Sequence, residues 1–258
     1  MRIHHLNCGT LNLGGAHFVC NVLLVEASDG LVLIDTGFGV GDIARPARLG
    51  EQFLQNARPK LDPAETAVAQ IKSLGHRPED VRHILMTHLD RDHAGGVGDF
   101  PGAFVHAHDD ELRCALDGAP GVRVGRYVSE QWSPDTKWRR YEPTSETWFG
   151  GARMRARIDG LDIVVIPTPG HTPGHCAIAV ETGSGWLVHA GDTHYHHLQR
   201  RLPPQSPSAA LDAFQKSTDS DTPAREASQL SICRLAAEHA DIDVVCTHDP
   251  FDFERFVG

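Results

Sequence analysis

Short apolar runs rich in β-branched residues, each closed by a turn, alternate with stretches of helical periodicity along the chain. HFVCNVLLVEA and GLVLIDTG predict two strands, separated by the break Ser28-Asp29-Gly30. A polar stretch over residues 38–63, punctuated by Gly39, Gly41, Pro46, Gly50 and Pro59, predicts an inserted loop with some helix. PAETAVAQIKSLG carries apolar residues at helical spacing and stops at Gly75, which predicts a helix. VRHILMTH, GAFVHAH, LDIVVIPTPGH, HCAIAVET, GWLVHAGD and IDVVCTHD predict further strands. Helices are predicted over residues 208–216 and 223–239, the second with Leu230, Cys233, Leu235 and Ala236 on one face. Strand-rich halves, each closed by helices, predict an α/β layered sandwich with helices on the outside. No repeat, low-complexity segment or linker divides the chain, so a single domain over residues 1–258 is expected.

Composition narrows the partners. A formal net charge of -10 argues against nucleic acid, which needs a concentrated positive surface. The arginines at Arg139-Arg140 and over residues 153–157 are read as solvated surface. No apolar run approaches membrane-spanning length, and the start MRIHHLNCGT lacks the features of a signal peptide. Cys8, Cys20, Cys114, Cys176, Cys233 and Cys246 are scattered, several in apolar runs, and form no C-x-x-C pair. Buried, reduced thiols and a cytoplasmic location are expected.

The chemistry concentrates where strands end. MTHLDRDHAGG places His88, Asp90, Asp92 and His93 within six residues, followed by Gly95 and Gly96. In an extended chain alternate residues share a side, so His88, Asp90 and Asp92 converge while His93 points elsewhere; such a segment can address two neighbouring ions. The glycine pair allows a tight turn and a close approach. TPGHTPGH adds His171 and His175, HAGDTHY adds Asp192, and CTHDP adds His248, each just after a predicted strand. Histidine and carboxylate gathered at one edge of a layered fold are the donors expected for a divalent metal. The single DTG, at Asp35, does not make an aspartic protease, which needs two such carboxylates.

The order HLDRDH, GHTPGH, GDTHY and THD resembles the metallo-β-lactamase superfamily, whose usual first motif is HxHxDH. The resemblance runs from LVLIDTG to THD and is strongest to the N-acyl homoserine lactonases and related lactonases, where a tyrosine follows the aspartate by three residues, as Tyr195 follows Asp192. It implies an αββα sandwich, two mixed sheets with helices on the outer faces. It also implies a first metal held by His88, Asp90 and His171, a second held by Asp92, His93 and His248, and Asp192 bridging the two. Asp35 is expected to support the ligands from behind. The implied activity is hydrolysis of a lactone or ester carbonyl, with Tyr195 donating to the oxyanion and Asp92 carrying a proton to the leaving alkoxide. Zinc is the expected ion. Asp90 stands where the motif has histidine, and a harder, negatively charged donor also admits manganese or iron.

Other readings stand beside this one: an iron-dependent oxidoreductase of the same fold, a hydrolase of a thioester or other substrate, and a binder with a decayed site. His175 is read as supporting a ligand, His194, His196 and His197 as pocket or loop residues, and His106 and His108 of HAHDD as no metal motif. Trp132, Trp138, Trp148 and Phe149, in an aromatic segment over residues 127–149, are candidates for a pocket wall, for core packing or for a homodimer interface. A small-molecule substrate is the expected partner.

Overall fold

The β-branched runs pair into two six-stranded sheets in a computed structural model that describes residues 1–156, 158 and 160–257, the side chain of Pro143 apart. The first sheet holds β1 (Arg2–Leu13), β2 (Ala16–Ala27), β3 (Gly30–Ile34), β4 (Val81–Leu85), β5 (Phe104–Ala107) and β6 (Lys137–Arg140) in sequence order. Its first three strands are antiparallel neighbours, and β3 to β6 run parallel. The second sheet runs β12 (Ile242–Val245), β11 (Trp186–His189), β10 (Cys176–Glu181), β9 (Ile163–Pro167), β8 (Gly151–Arg155) and β7 (Glu142–Trp148). It is antiparallel except between β11 and β12.

Apolar faces fix the layering. Leu23, Val25, Val32 and Ile34 of one sheet meet Val165, Ile178, Val180 and Val245 of the other in the central core. The outer face of the first sheet is covered by α3 (Ala67–Ser73), through Ala67 and Ile71, and by α4 (Asp109–Leu116), through Leu112. Ile232 of α6 (Thr222–Glu238) covers the second sheet. This is the expected αββα sandwich. Its strongly buried strands read as near-continuous apolar runs because both faces are covered.

Several elements differ from the sequence reading. The helix expected over 63–75 opens instead as a tight 3-10 turn, Pro63–Glu65. Only then does α3 start, because the Thr66 hydroxyl accepts the Ala69 amide at 3.2 Å and caps it. The inserted stretch holds two short helices, α1 (Val40–Ala44) and α2 (Glu51–Ala57), as expected. The aromatic segment contributes β6 and β7, one at the edge of each sheet. Tyr141 lies between them in the central core, its hydroxyl donating to the Met86 carbonyl at 2.8 Å. Beyond the last expected strand, α7 (Pro250–Val257) lies against β1 and β2, with Phe256 stacked on His5. The helix expected over 208–216 is α5 (Ala209–Thr218), capped by Ser208. Arg157, part of the arginine cluster, lies outside the described residues.

The glycines after the histidine motif mark close backbone approach. A Cβ on Gly95 would collide with the Asp42 carboxylate and come within 2.6 Å of the Gly37 carbonyl. Gly95→Ala should therefore lower the unfolding free energy by about 1–3 kcal/mol, the usual range for overpacking. Urea denaturation checks this; an unchanged midpoint would show that the approach is not tight.

Candidate metal centre

Five loops at the strand ends deliver the predicted donors and their support to one place. Asp35 follows β3, the HLDRDH segment follows β4, His171 follows β9, Asp192 follows β11 and His248 follows β12. The extended geometry expected for the whole motif holds only in part. Strand β4 ends at Leu85, and the amides of His93 and Ala94 both donate to the Asp90 carbonyl at 2.9 Å. That helical turn, rather than strand alternation, brings Asp92 and His93 round to the second half of the site.

Two groups of donor atoms share Asp192. In the first, His88 Nε2 lies 3.5 Å from Asp90 Oδ2 and 3.9 Å from Asp192 Oδ2, while His171 Nε2 lies 3.1 and 3.4 Å from the same two oxygens. In the second, Asp192 lies 3.4 Å from His93 Nε2 and 3.3 Å from His248 Nε2, and Asp92 lies 3.7 Å from His248 Nε2. Donors about 2 Å from one ion stand roughly 3–4 Å apart, so both groups have the spacing of a coordination shell. All seven residues assigned by the sequence meet here. Asp90 and Asp92 are partly exposed, and the other five are buried.

The outer atoms of the rings explain their orientation. His93 Nδ1 donates to Asp35 Oδ2 at 2.9 Å. His88 Nδ1 donates to Thr87 Oγ1 at 3.0 Å, and that hydroxyl donates to Asp35 Oδ2 at 2.7 Å. The Thr87 amide donates to Asp35 Oδ1 at 2.8 Å, and His248 Nδ1 donates to the Val19 carbonyl at 2.8 Å. With the outer nitrogens acting as donors, each Nε2 turns a lone pair inward. Asp35 thus orients two of the candidate donors from a left-handed backbone (φ 60°) that aspartate tolerates better than most residues. His175 holds Asp192 from behind: its Nε2 accepts the Asp192 amide at 2.9 Å and its Nδ1 donates to the Thr168 carbonyl at 3.1 Å. A Cβ on Gly191 would strike the same ring at 2.5 Å.

The inner atoms are left short of partners. His88 Nε2, His93 Nε2 and Asp192 Oδ1 are buried and accept no hydrogen bond from the protein. Orphaned buried polar atoms aimed at a common point fit divalent cations. The electrostatics agree. Burial disfavours charge on His93 and His248, yet Asp192 beside both outweighs it and raises their proton affinity well above normal. Burial likewise opposes ionisation of Asp192, but His248 and His93 hold its carboxyl far below the usual range. Such a cluster demands positive charge at its centre, whether protons or metal ions supply it.

Two neighbours were not foreseen. Cys20, read as an ordinary buried thiol, has its sulfur in donor range of Asp92 and His248, and burial pushes that thiol up to about 12. Arg126 pairs with both oxygens of Asp90, Nε to Oδ1 at 2.6 Å and Nη2 to Oδ2 at 2.7 Å. The extra negative charge expected at position 90, which admitted manganese or iron, is therefore countered by a guanidinium. No motif flags Arg126, which lies 36 residues beyond Asp90.

Tyr195 is buried beside the donors, its ring 6.2 Å from that of His171 and 5.2 Å from that of His248. Its hydroxyl meets Thr218 Oγ1 at 3.2 Å. Phe18, Phe38, Leu49 and Ala57 pack with Tyr195, and Phe53, Leu61, Leu211 and Phe214 lie against them partly buried. The apolar wall therefore comes from the 38–63 insertion and α5. The aromatic segment packs elsewhere: Trp132 sits edge-on to Trp138 in the first outer core, and Trp148 meets Trp186 on the second. Of the remaining histidines, His194 meets Thr193, His196 caps a short 3-10 turn and His197 pairs with Asp249, so none joins the donors. His106 pairs with His83, and His108 caps α4.

Comparison with known proteins points the same way. The family model described as the metallo-beta-lactamase superfamily matches residues 15–248. A protein of Mycobacterium tuberculosis named as a probable metallo-hydrolase is 42% identical over 257 residues, covering 97% of this chain and 81% of that one. The N-acyl homoserine lactonase AttM of Agrobacterium fabrum is 31% identical over 261 residues, covering 99% and 91%. Among solved structures, an N-acyl homoserine lactone hydrolase with the product N-hexanoyl-L-homoserine at its catalytic metal centre superposes with a TM-score of 0.75. The two are 20% identical, with 98% of this chain and 95% of that one covered.

The supporting bonds make a test of their own. Asp35→Ala strands the Thr87 amide and His93 Nδ1, so metal affinity should fall about 10–100-fold, as for other residues that orient ligands. Chelator competition checks this. Unchanged affinity would mean that Asp35 shapes the loop without orienting the rings.

Proposed function

Because the chain belongs to the metallo-beta-lactamase superfamily, we propose that it is a metal-dependent hydrolase with two divalent ions, and that it opens a lactone or ester carbonyl. The observation that carries this reading is the convergence of His88, Asp90, Asp92, His93, His171 and His248 around a shared Asp192, with Tyr195 packed over the imidazoles. Ions held there supply acidified water and a polarised carbonyl at neutral pH. Zinc is our assignment, since imidazole and carboxylate donors suit it and its geometry.

The protein's own groups perform the remaining work. Asp92 keeps a partly exposed side chain and so can pass a proton between the reacting water and the leaving alkoxide. Burial keeps the Tyr195 phenol protonated, with the charge of Asp192 adding to the effect, so it remains a donor able to turn from Thr218 to the developing oxyanion. The partly buried Phe53, Leu61, Leu211 and Phe214 offer an apolar surface for the non-reacting part of a substrate. The lactonase relatives support a lactone over other esters. No serine or cysteine nucleophile is needed.

We place the enzyme in the cytoplasm, in keeping with six free, buried cysteines. Its partner in this reading is a small molecule, and the acidic chain is not assigned to nucleic acid. Among the described residues no helix is long and apolar enough to cross a membrane.

A panel of lactones, simple esters and thioesters tests the substrate class directly, with lactone cleavage expected to dominate. Tyr195→Phe should lower kcat on that substrate by about a hundredfold while metal content stays constant, the usual cost of one oxyanion donor. An unchanged kcat would remove Tyr195 from the mechanism, and dominant thioester cleavage would overturn the lactone assignment.

A further inference from the structure

Asp90 is a carboxylate at a position where the motif ordinarily carries an imidazole, and every donor of Arg126 is spent around it. Nε and Nη2 grip the two Asp90 oxygens in a parallel fork. Nη1 donates to the Thr218 carbonyl at 2.6 Å, and Nη2 also lies 2.7 Å from His171 Nε2. The guanidinium is therefore not free to clamp a substrate anion.

Its backbone is fixed with equal care. Arg91, next to Asp90 in the motif, donates through Nη2 to the carbonyls of Gly125 at 2.7 Å and Arg126 at 2.9 Å. The Tyr127 hydroxyl donates to Glu111 Oε1 at 2.8 Å, and the same oxygen accepts the Leu89 amide at 2.9 Å. Thus Asp90 holds the side chain of Arg126 while Arg91 holds its main chain. Tyr127 and Leu89, the residues beside them, meet on one buried carboxylate.

The charges complete the argument. An aspartate in place of a neutral histidine adds one negative charge beside the first ion, and a paired arginine returns one positive charge. We propose that Asp90 and Arg126 act as a single neutral unit that replaces an imidazole at the first metal position. Arg126 acts through Asp90 and His171: it cancels the carboxylate charge and competes for the donor atoms Oδ2 and Nε2 that face the ion. Because Nη2 also competes for Oδ2 and for the His171 lone pair, the first position holds its ion more weakly than the second. The inference rests on the two-ion reading above, and the test separates the two.

The test is a zinc titration of chelator-stripped protein against a competing chelator, on the starting protein, Asp90→His, Arg126→Met and the double variant, each checked for fold by circular dichroism. The starting protein should bind two ions with unequal affinity. Asp90→His leaves a buried guanidinium facing an ion without its counter-charge, so the weaker affinity should drop at least about tenfold. Arg126→Met removes that repulsion and the competition for His171, so the weaker affinity should rise about tenfold. In the double variant the weaker affinity should return to within a few-fold of the start, because an imidazole without the guanidinium carries the same net charge as the aspartate–arginine pair. A double variant as weak as Asp90→His, or an Asp90→His protein that binds like the start, overturns the pairing. Should Asp90→His fail to fold, Arg126→Met alone decides, because weaker binding there contradicts the proposal. A starting protein that takes up no zinc sinks the two-ion centre itself, whereas two ions whose weaker affinity neither single variant moves sink only the pairing.

Discussion

Asp192 is buried among four imidazoles, and the arrangement around it depends on what neutralises that cluster. His88, His93, His171 and His248 all reach within 4 Å of its carboxylate. Packing alone would not hold so many polar atoms out of water, since each buried donor or acceptor left unmatched costs about 1–3 kcal/mol. Cations at the centre resolve the problem. The rest of the fold then serves to keep the donors in place before any ion arrives.

That preorganisation has a clear physical source. The sheets end at one edge, so their following loops start from rigid strands, and a few buried groups fix the loops to each other. Asp35 ties the end of β3 to the loop after β4 through Thr87 and His93. Glu111 of α4 accepts from Leu89 and from Gly174, joining the first histidine loop to the second. His175 then carries the support on to Asp192. Ligands held by such a chain lose little freedom on binding an ion, which favours affinity and geometry together.

Much of this was legible in the sequence for identifiable reasons. Sandwich-core strands advertise themselves as apolar runs, and His, Asp and Gly clustered directly after such runs mark a site. What escaped was long-range or locally ambiguous. Arg126 has no motif of its own, and its meaning appears only once folding sets it against Asp90. Cys20 reads as one buried thiol among six until β2 carries it to His248. The aromatic segment looked like one unit, yet its tryptophans divide between two separate cores, because the chain changes sheets at Tyr141. The last helix did have a signal: Asp249 before Pro250 is a capping pair, and its Oδ1 accepts the Phe251 amide at 2.9 Å. Strand alternation does not extend through the motif, because a turn starting at Asp90 competes with strand extension where β4 ends.

The substitution at position 90 gains a meaning in this setting. A lone carboxylate would alter the charge of the first metal position, but a carboxylate already paired to arginine alters mainly its shape and its competition for the ion. Everything then turns on whether the cluster holds two cations. Elemental analysis of the purified protein, calibrated by amino-acid analysis and made without added metal or chelator, is the most direct measure. The account predicts close to two divalent ions per chain, zinc foremost. One ion or fewer in protein that hydrolyses its substrate at full rate would contradict it.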